Sequence, residues 1–218
     1  MSRLTQDLLD FVRTWLPQPP ARVLEVGCGR GELAQAISQL GFTVVAIDPD
    51  PPEGDLFQAV VLEEFADPGP FDTVVANRSL HHIADLSGAL DKIGRLLRPE
   101  GRLILREHAW DRLDERTARW YLEQRVSAAP DPPHSHESCL SDWEDDHAGL
   151  HGYAAMRQGL DRRFSERFFD WTPYLHGELE GVTEQEEQVL IDAGTIQATG
   201  FRYVGERTAG PAGAPEPL

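Results

Sequence analysis

Leu4, Leu8, Leu9, Phe11, Val12, Trp15 and Leu16 recur every three or four residues, which predicts an amphipathic helix at the start of the chain. Pro17, Pro19 and Pro20 stop it. Short apolar runs follow at 22–26, 43–47, 56–62, 73–76 and 102–106, each of strand length. Helical patterns at 32–40 and 85–97 separate some of them. Strands alternating with helices predict a parallel sheet covered on both faces. One connection breaks the rhythm. Only DPDPPEGD, residues 48–55, separates the second run from the third, too little for a crossover helix. Either the third strand begins later, or the helix on that side has shrunk to a turn.

The pattern changes after position 107. Tryptophan, tyrosine, phenylalanine and histidine gather around the stretch APDPPHSHES. Helices are predicted at 112–127 and 141–160, with an extended piece at 164–174. A last helix is predicted at 182–193, where Thr183 and Glu186 have the spacing of a capping box. A closing strand follows at 196–204, with Gly200 marking a bulge or a hairpin turn. The chain divides into a core (1–107), a helical and aromatic cap (108–180), a last helix with closing strand (181–207), and a disordered tail (208–218).

Charge narrows the partners. Asp+Glu outnumber Lys+Arg by 37 to 20, a formal net charge of -17, and Lys92 is the only lysine. Nucleic-acid binding needs clustered cations to displace counterions from phosphates, so DNA and RNA are disfavoured. The two cysteines, Cys28 and Cys139, cannot build a disulfide framework, which suits a cytoplasmic protein. No signal peptide and no membrane span is expected, because charged residues interrupt every apolar run. Oligomeric state is not readable from the pattern.

The chemistry begins where the first strand ends. VLEVGCGRGEL, residues 23–33, places Gly27, Gly29 and Gly31 at alternate positions in a strand–turn–helix order. Ligands of open α/β sheets sit at the carboxyl ends of such strands. The dinucleotide fingerprint would require its third glycine at position 32, where Glu32 stands. Glu25 beside the loop suits a cation better than a pyrophosphate. Asp48, ending the second strand, is placed to accept both hydroxyls of a ribose through charge-assisted hydrogen bonds. Nicotinamide enzymes use the same device, so Asp48 alone does not name the nucleotide.

The E-x-G-x-G-x-G spacing from Glu25 to Gly31 resembles motif I of the class I S-adenosylmethionine-dependent methyltransferases. FDTVVANRSLHHI (71–83) resembles the fourth-strand motif of that family, and LDKIGRLLRPEGRLIL (90–105) its following helix and fifth strand. The resemblance covers about half the chain. It implies an α/β, Rossmann-like, doubly wound, seven-stranded mixed sheet with a helical cap inserted after strand five. It also implies S-adenosyl-L-methionine as cofactor and a small-molecule acceptor. Glu25, Gly27 and Gly29 would hold the amino-acid end, Asp48 the ribose and Asn77 the methionine portion. Cys28, Pro49 and His82 join the cofactor-binding set. The usual carboxylate after strand three aligns with Val61, so the backbone near Leu62 or the side chain of Glu63 would serve the adenine.

A general base assists when the acceptor must lose a proton, and histidine titrates near neutrality. His108, after strand five, is the first candidate. His147 and His151, one helical turn apart in DHAGLH, are the others. His81 and His82 can equally shape the loop after strand four. His134, His136, Glu137, Cys139 and Asp142 crowd together without a ligand spacing, so no metal is expected. The acidic charge and aromatic cap lean towards a neutral or cationic, partly apolar acceptor. Two rival functions remain: a nicotinamide-dependent oxidoreductase on a similar sheet, and a non-catalytic S-adenosylmethionine-binding partner protein.

Overall fold

The computed structural model describes residues 3–67, 69–128 and 136–208, with no account of the side chains of residues 3–5, 126–128 and 136–139. Its centre is a seven-stranded sheet. In chain order the strands are β1 (Arg22–Val26), β2 (Thr43–Asp48), β3 (Phe57–Ala59), β4 (Phe71–Asn77), β5 (Leu97–His108), β6 (Phe164–Thr172) and β7 (Gly200–Arg207). The spatial order is β3-β2-β1-β4-β5-β7-β6. β1 to β5 run parallel, while β7 runs antiparallel to β5 and β6. The order reverses at β1, with β2 on one side and β4 on the other. That is where a doubly wound sheet opens a crevice.

Both faces are covered because successive side chains alternate between them. Ile104 joins a cluster with Leu8, Val12, Leu33 and Ile37, supplied by α1 (Arg3–Trp15) and α2 (Glu32–Gln39). Leu103 and Leu105 join the opposite cluster with Leu90 and Ile93 of α3 (Leu86–Leu96) and Met156 and Leu160 of α6 (Tyr153–Asp161). Gly159 lets α6 lie close on α3, since a Cβ there would stand 2.6 Å from Leu90 Cδ1. Truncating a fully buried residue such as Ile37 to alanine would cost about 2–5 kcal/mol.

Several predicted elements take a different form. β3 is three residues long instead of seven, and residues 49–56 form a turn with no helix. The predicted helix at 141–160 is two helices, α5 (His136–Asp146) and α6. Gly149 at φ 90 interrupts it, and Asp111, 42 residues earlier, accepts the N–H groups of Tyr153 (2.7 Å) and Ala154 (3.3 Å). A cap borrowed from that distance leaves no local signature.

β6 belongs to the sheet as its edge strand, so the last part of segment 108–180 lies outside the cap. Outside the sheet, α4 (Glu115–Ala128) and α5 form a packed unit. Tyr121, Leu122, Trp143, Tyr174, Leu175 and Leu179 form a small core. The predicted capping box is present on α7 (Glu184–Asp192). Gly200 is neither bulge nor hairpin turn. It opens β7, where a Cβ would stand 2.8 Å from Thr172 Oγ1. The APDPPHSHES stretch falls mostly on residues outside the description, as does the tail from 209.

Candidate functional site

Gly27, Gly29 and Gly31 all adopt positive φ, at 73°, 48° and 73°. L-residues rarely hold that conformation, and space adds a second reason. A Cβ on Gly27 would meet Ser79 Cβ at 2.4 Å, and one on Gly31 would meet the Phe57 ring at 2.5 Å. At Gly29 a Cβ would meet nothing within 4 Å, because the loop there faces the crevice. The loop is laced to the end of β2. Ile47 O accepts from the N–H groups of Gly27 (2.9 Å) and Cys28 (3.1 Å), and Asp48 Oδ2 accepts from Gly29 N–H at 2.9 Å. Asp48 Oδ1 takes the N–H of Asp50 at 3.0 Å. Each carboxylate oxygen has two lone pairs, so both keep one for a ligand.

Glu25 is 3% exposed, and its Oε2 has no hydrogen-bond partner. Burial pushes its carboxyl up to about 8; the nearby Asp48 charge adds to the rise, against a hydrogen bond with the Ala34 backbone. Asn77 Oδ1 is likewise buried without a partner. Two idle acceptors around one space call for a ligand rich in donors, and an ammonium carries three. Burial, then the charges of Glu25 and Asp48, raise the Cys28 thiol to about 12, so it stays protonated and unreactive.

These groups line one cavity of about 850 Å³ at the carboxyl ends of β1, β2 and β4. Glu25, Gly27, Cys28, Gly29, Asp48, Pro49, Leu62, Glu63, Asn77 and His82, the cofactor-binding positions expected from sequence, all belong to its lining. The lining residues that sequence reasoning missed include Leu8 of α1, Val26, Arg30, Glu32 and Leu33 around the glycine turn, and Arg78, Ser79 and Ile83 after Asn77. Those around the glycine turn and after Asn77 had a signal, since they lie within the quoted motifs at 23–33 and 71–83.

The three candidate bases are placed elsewhere, and the reason is visible for each. His108 is 1% exposed, enclosed rather than at a pocket mouth. Its ring stacks on Tyr174 at 3.7 Å and meets Trp143 edge-on at 5.6 Å. Burial, then the charges of His147, His81 and Arg78, drive its pKa down to about 2. His147 follows α5, its Nδ1 2.7 Å from Trp143 O. His151 lies in the break before α6, its Nε2 2.9 Å from Ile83 O. The broken helix separates the two that were expected on one face, and neither lines the cavity. The pair after β4 divides its roles. His81 is buried, with Nδ1 2.6 Å from Glu107 Oε2, while Glu107 Oε1 accepts the N–H groups of Ser79 (2.9 Å) and Leu80 (2.7 Å). That lattice fixes the loop and leaves His82 exposed towards the cavity. Among the described residues no group of three or more His, Cys, Asp or Glu side chains could hold a metal, and His134 lies outside them.

With this geometry in place, the family comparison is decisive: the pattern described as "Methyltransferase domain" matches residues 1–142. The chain belongs to the methyltransferase domain family. Its sheet order and antiparallel β7 are the α/β, Rossmann-like arrangement of that family. The "Ubiquinone biosynthesis O-methyltransferase" of Xanthomonas euvesicatoria pv. vesicatoria is 35% identical over 112 residues, covering 44% of this chain and 47% of that protein. The chain therefore matches less than half the length of such curated relatives. Geranyl diphosphate C-methyltransferase from Streptomyces coelicolor, solved with S-adenosyl-L-homocysteine, superposes with TM-score 0.62 at 16% identity over 94% of this chain and 80% of that one. The 1,6-didemethyltoxoflavin-N1-methyltransferase of Burkholderia thailandensis gives 0.55 at 19% identity, over 94% and 77%. At such identity the likeness shows the shared fold. Within the methyltransferase domain, the cavity occupies the switch point that the topology creates.

Proposed function

We propose that this protein is a methyltransferase that binds S-adenosyl-L-methionine in the glycine-loop cavity and methylates a small-molecule acceptor. The observation that carries the reading is Glu25, a buried carboxyl with an unpartnered oxygen on a cavity edged by the glycine loop. A pyrophosphate carries no donors for that oxygen or for Asn77 Oδ1, which disfavours the nicotinamide alternative. Glu25 and Asn77 fit the amino-acid end of the cofactor, Asp48 the ribose, and Leu62 with the Val60–Leu62 backbone the adenine. When bound, S-adenosyl-L-methionine supplies a methyl group on an electron-poor sulfonium. The protein's own contribution is placement, worth up to about 7–11 kcal/mol for well-aligned reactants.

The cap over the carboxyl edge excludes water from the space beyond Asn77 and selects the acceptor. His82 takes over from His108 as the histidine placed to receive an acceptor proton, because its ring lines the cavity. Asp48→Ala tests the ribose assignment. Cofactor affinity should drop about ten- to a hundredfold, from the loss of charge-assisted bonds, with the fold retained. Isothermal calorimetry reads the change. Equal affinity in parent and variant would place the ribose elsewhere.

A further inference from the structure

At the β4 edge of the cavity Arg78 stands in the lining, and Arg106 and Arg202 lie outside it on the neighbouring strands. Asn77, Arg106 and Arg202 are register partners across β4, β5 and β7. Their side chains therefore leave the same face of the sheet, the one beneath α1. The Arg202 guanidinium lies over the Phe11 ring of α1 at 5.1 Å, and its Nε is buried without a partner. Arg78 follows Asn77 in the left-handed region at φ 54 and donates its N–H to Arg106 O at 2.8 Å. Its guanidinium stands over the Tyr174 ring at 4.7 Å, and the residue lines the cavity. Non-glycine residues held in that backbone region cluster at functional sites.

Arg106 is the telling member. It is 8% exposed, yet among the described residues its guanidinium has no hydrogen bond and no ion pair. Burial lowers its pKa, the Glu184 carboxylate on α7 opposes that, and the like charges of Arg202 and Arg78 add to the lowering. Asp170, the register partner of Arg202 on β6, is exposed and forms no ion pair with it among the described residues. A buried guanidinium normally carries a partner. Here the cations gather, and Glu184, the carboxylate acting on Arg106, forms no ion pair with it among the described residues.

We propose that Arg78, Arg106 and Arg202 form the acceptor-recognition end of the site and bind an anionic oxygen group, carboxylate or phosphate, on the methyl acceptor. The inference rests on the cofactor reading above, since it places the acceptor beside Asn77. The guanidinium fork matches either group through paired hydrogen bonds. The protein's charge of -17 does not oppose this. Exposed charges are screened beyond about 8 Å at physiological salt, whereas the arginines are at contact. The leaning towards a neutral or cationic acceptor gives way to an anionic one.

Calorimetry with three probes tests the proposal: benzoate, phenyl phosphate and the neutral benzamide. Each is titrated into the full-length protein, free and saturated with S-adenosyl-L-homocysteine. Titration of S-adenosyl-L-homocysteine itself reports on the cofactor reading separately. At least one anion should bind about tenfold or more tightly than benzamide, and the stronger of the two separates carboxylate from phosphate recognition. Arg106→Gln and the half-buried variant Arg202→Gln should each remove that preference while S-adenosyl-L-homocysteine binding stays within about twofold. Arg106→Met should melt no lower than the parent, because it removes an unpaired buried charge. Anion and amide binding alike, silence from both anions at millimolar concentration, unchanged anion binding in both Gln variants, or a marked loss of stability in Arg106→Met would each overturn it.

Discussion

Glu25 shows how one buried group ties stability to function. Its carboxyl titrates near 8 instead of the ordinary 4.5, chiefly because burial disfavours the charged form. Below about pH 8 the ligand-free protein therefore holds a neutral acid there. Pairing with a ligand ammonium ionises it and expels a proton. At pH 7, calorimetry of S-adenosyl-L-methionine binding in buffers of different ionisation heat should report release of close to one proton, absent in Glu25→Gln. Binding heats independent of buffer would contradict this. The sign for stability follows from the same shift. The folded state holds the proton more tightly than the unfolded one, so stability declines as pH rises from about 4.5 to 8. Glu25→Gln should thus raise the melting temperature of the free protein at pH 8.5, by an effect on the order of a few kcal/mol that shrinks towards pH 5. His82 adds a second residue-scale outcome. His82→Gln should lower turnover with cofactor affinity kept, whereas His108→Phe, which preserves the stack on Tyr174, should leave turnover near the parent value.

Among elements, the loop after β4 depends most on contacts distant in sequence. Glu107 on β5 holds the N–H groups of Ser79 and Leu80 and the ring of His81 at once, from a position with no solvent exposure. Glu107→Ala would strand these buried donors, at about 1–3 kcal/mol each. Chemical denaturation should show a loss of about 3–5 kcal/mol, with cofactor binding weakened as Ser79 loses its seat beside Gly27. A loss below about 1 kcal/mol would mean the lattice is replaceable. This element also marks how far the chain could be read unaided. β1, β2, α2 and the capping box of α7 carry their signals locally, in apolar periodicity, glycine placement and Thr183–Glu186 spacing. The break between α5 and α6 depends on Asp111, and the role of His81 on Glu107, both set by tertiary contact. The expected positions that line the cavity were legible where they close a strand or sit in the glycine turn, whereas Leu8 of α1 reaches it from an element with no such signal. The histidines were misplaced because position along the chain does not reveal which way a ring faces.

For the whole molecule, the sheet order puts Glu25, Asp48 and Asn77 around one cavity, although they are far apart in sequence. Among the described residues no helix is long and apolar enough to cross a membrane. A ligand held at about 100 times its Kd stabilises the folded state by about 2.7 kcal/mol. For a chain of 218 residues, that corresponds to a rise of roughly 5–11 °C in melting temperature. The most direct measurement is a thermal melt of the purified protein with S-adenosyl-L-methionine, S-adenosyl-L-homocysteine and NADH in parallel. The account predicts a rise of that size with the first two and none with NADH, and loss of the rise in Glu25→Gln. No shift with either sulfur compound at millimolar concentration, or a shift with NADH alone, would contradict it.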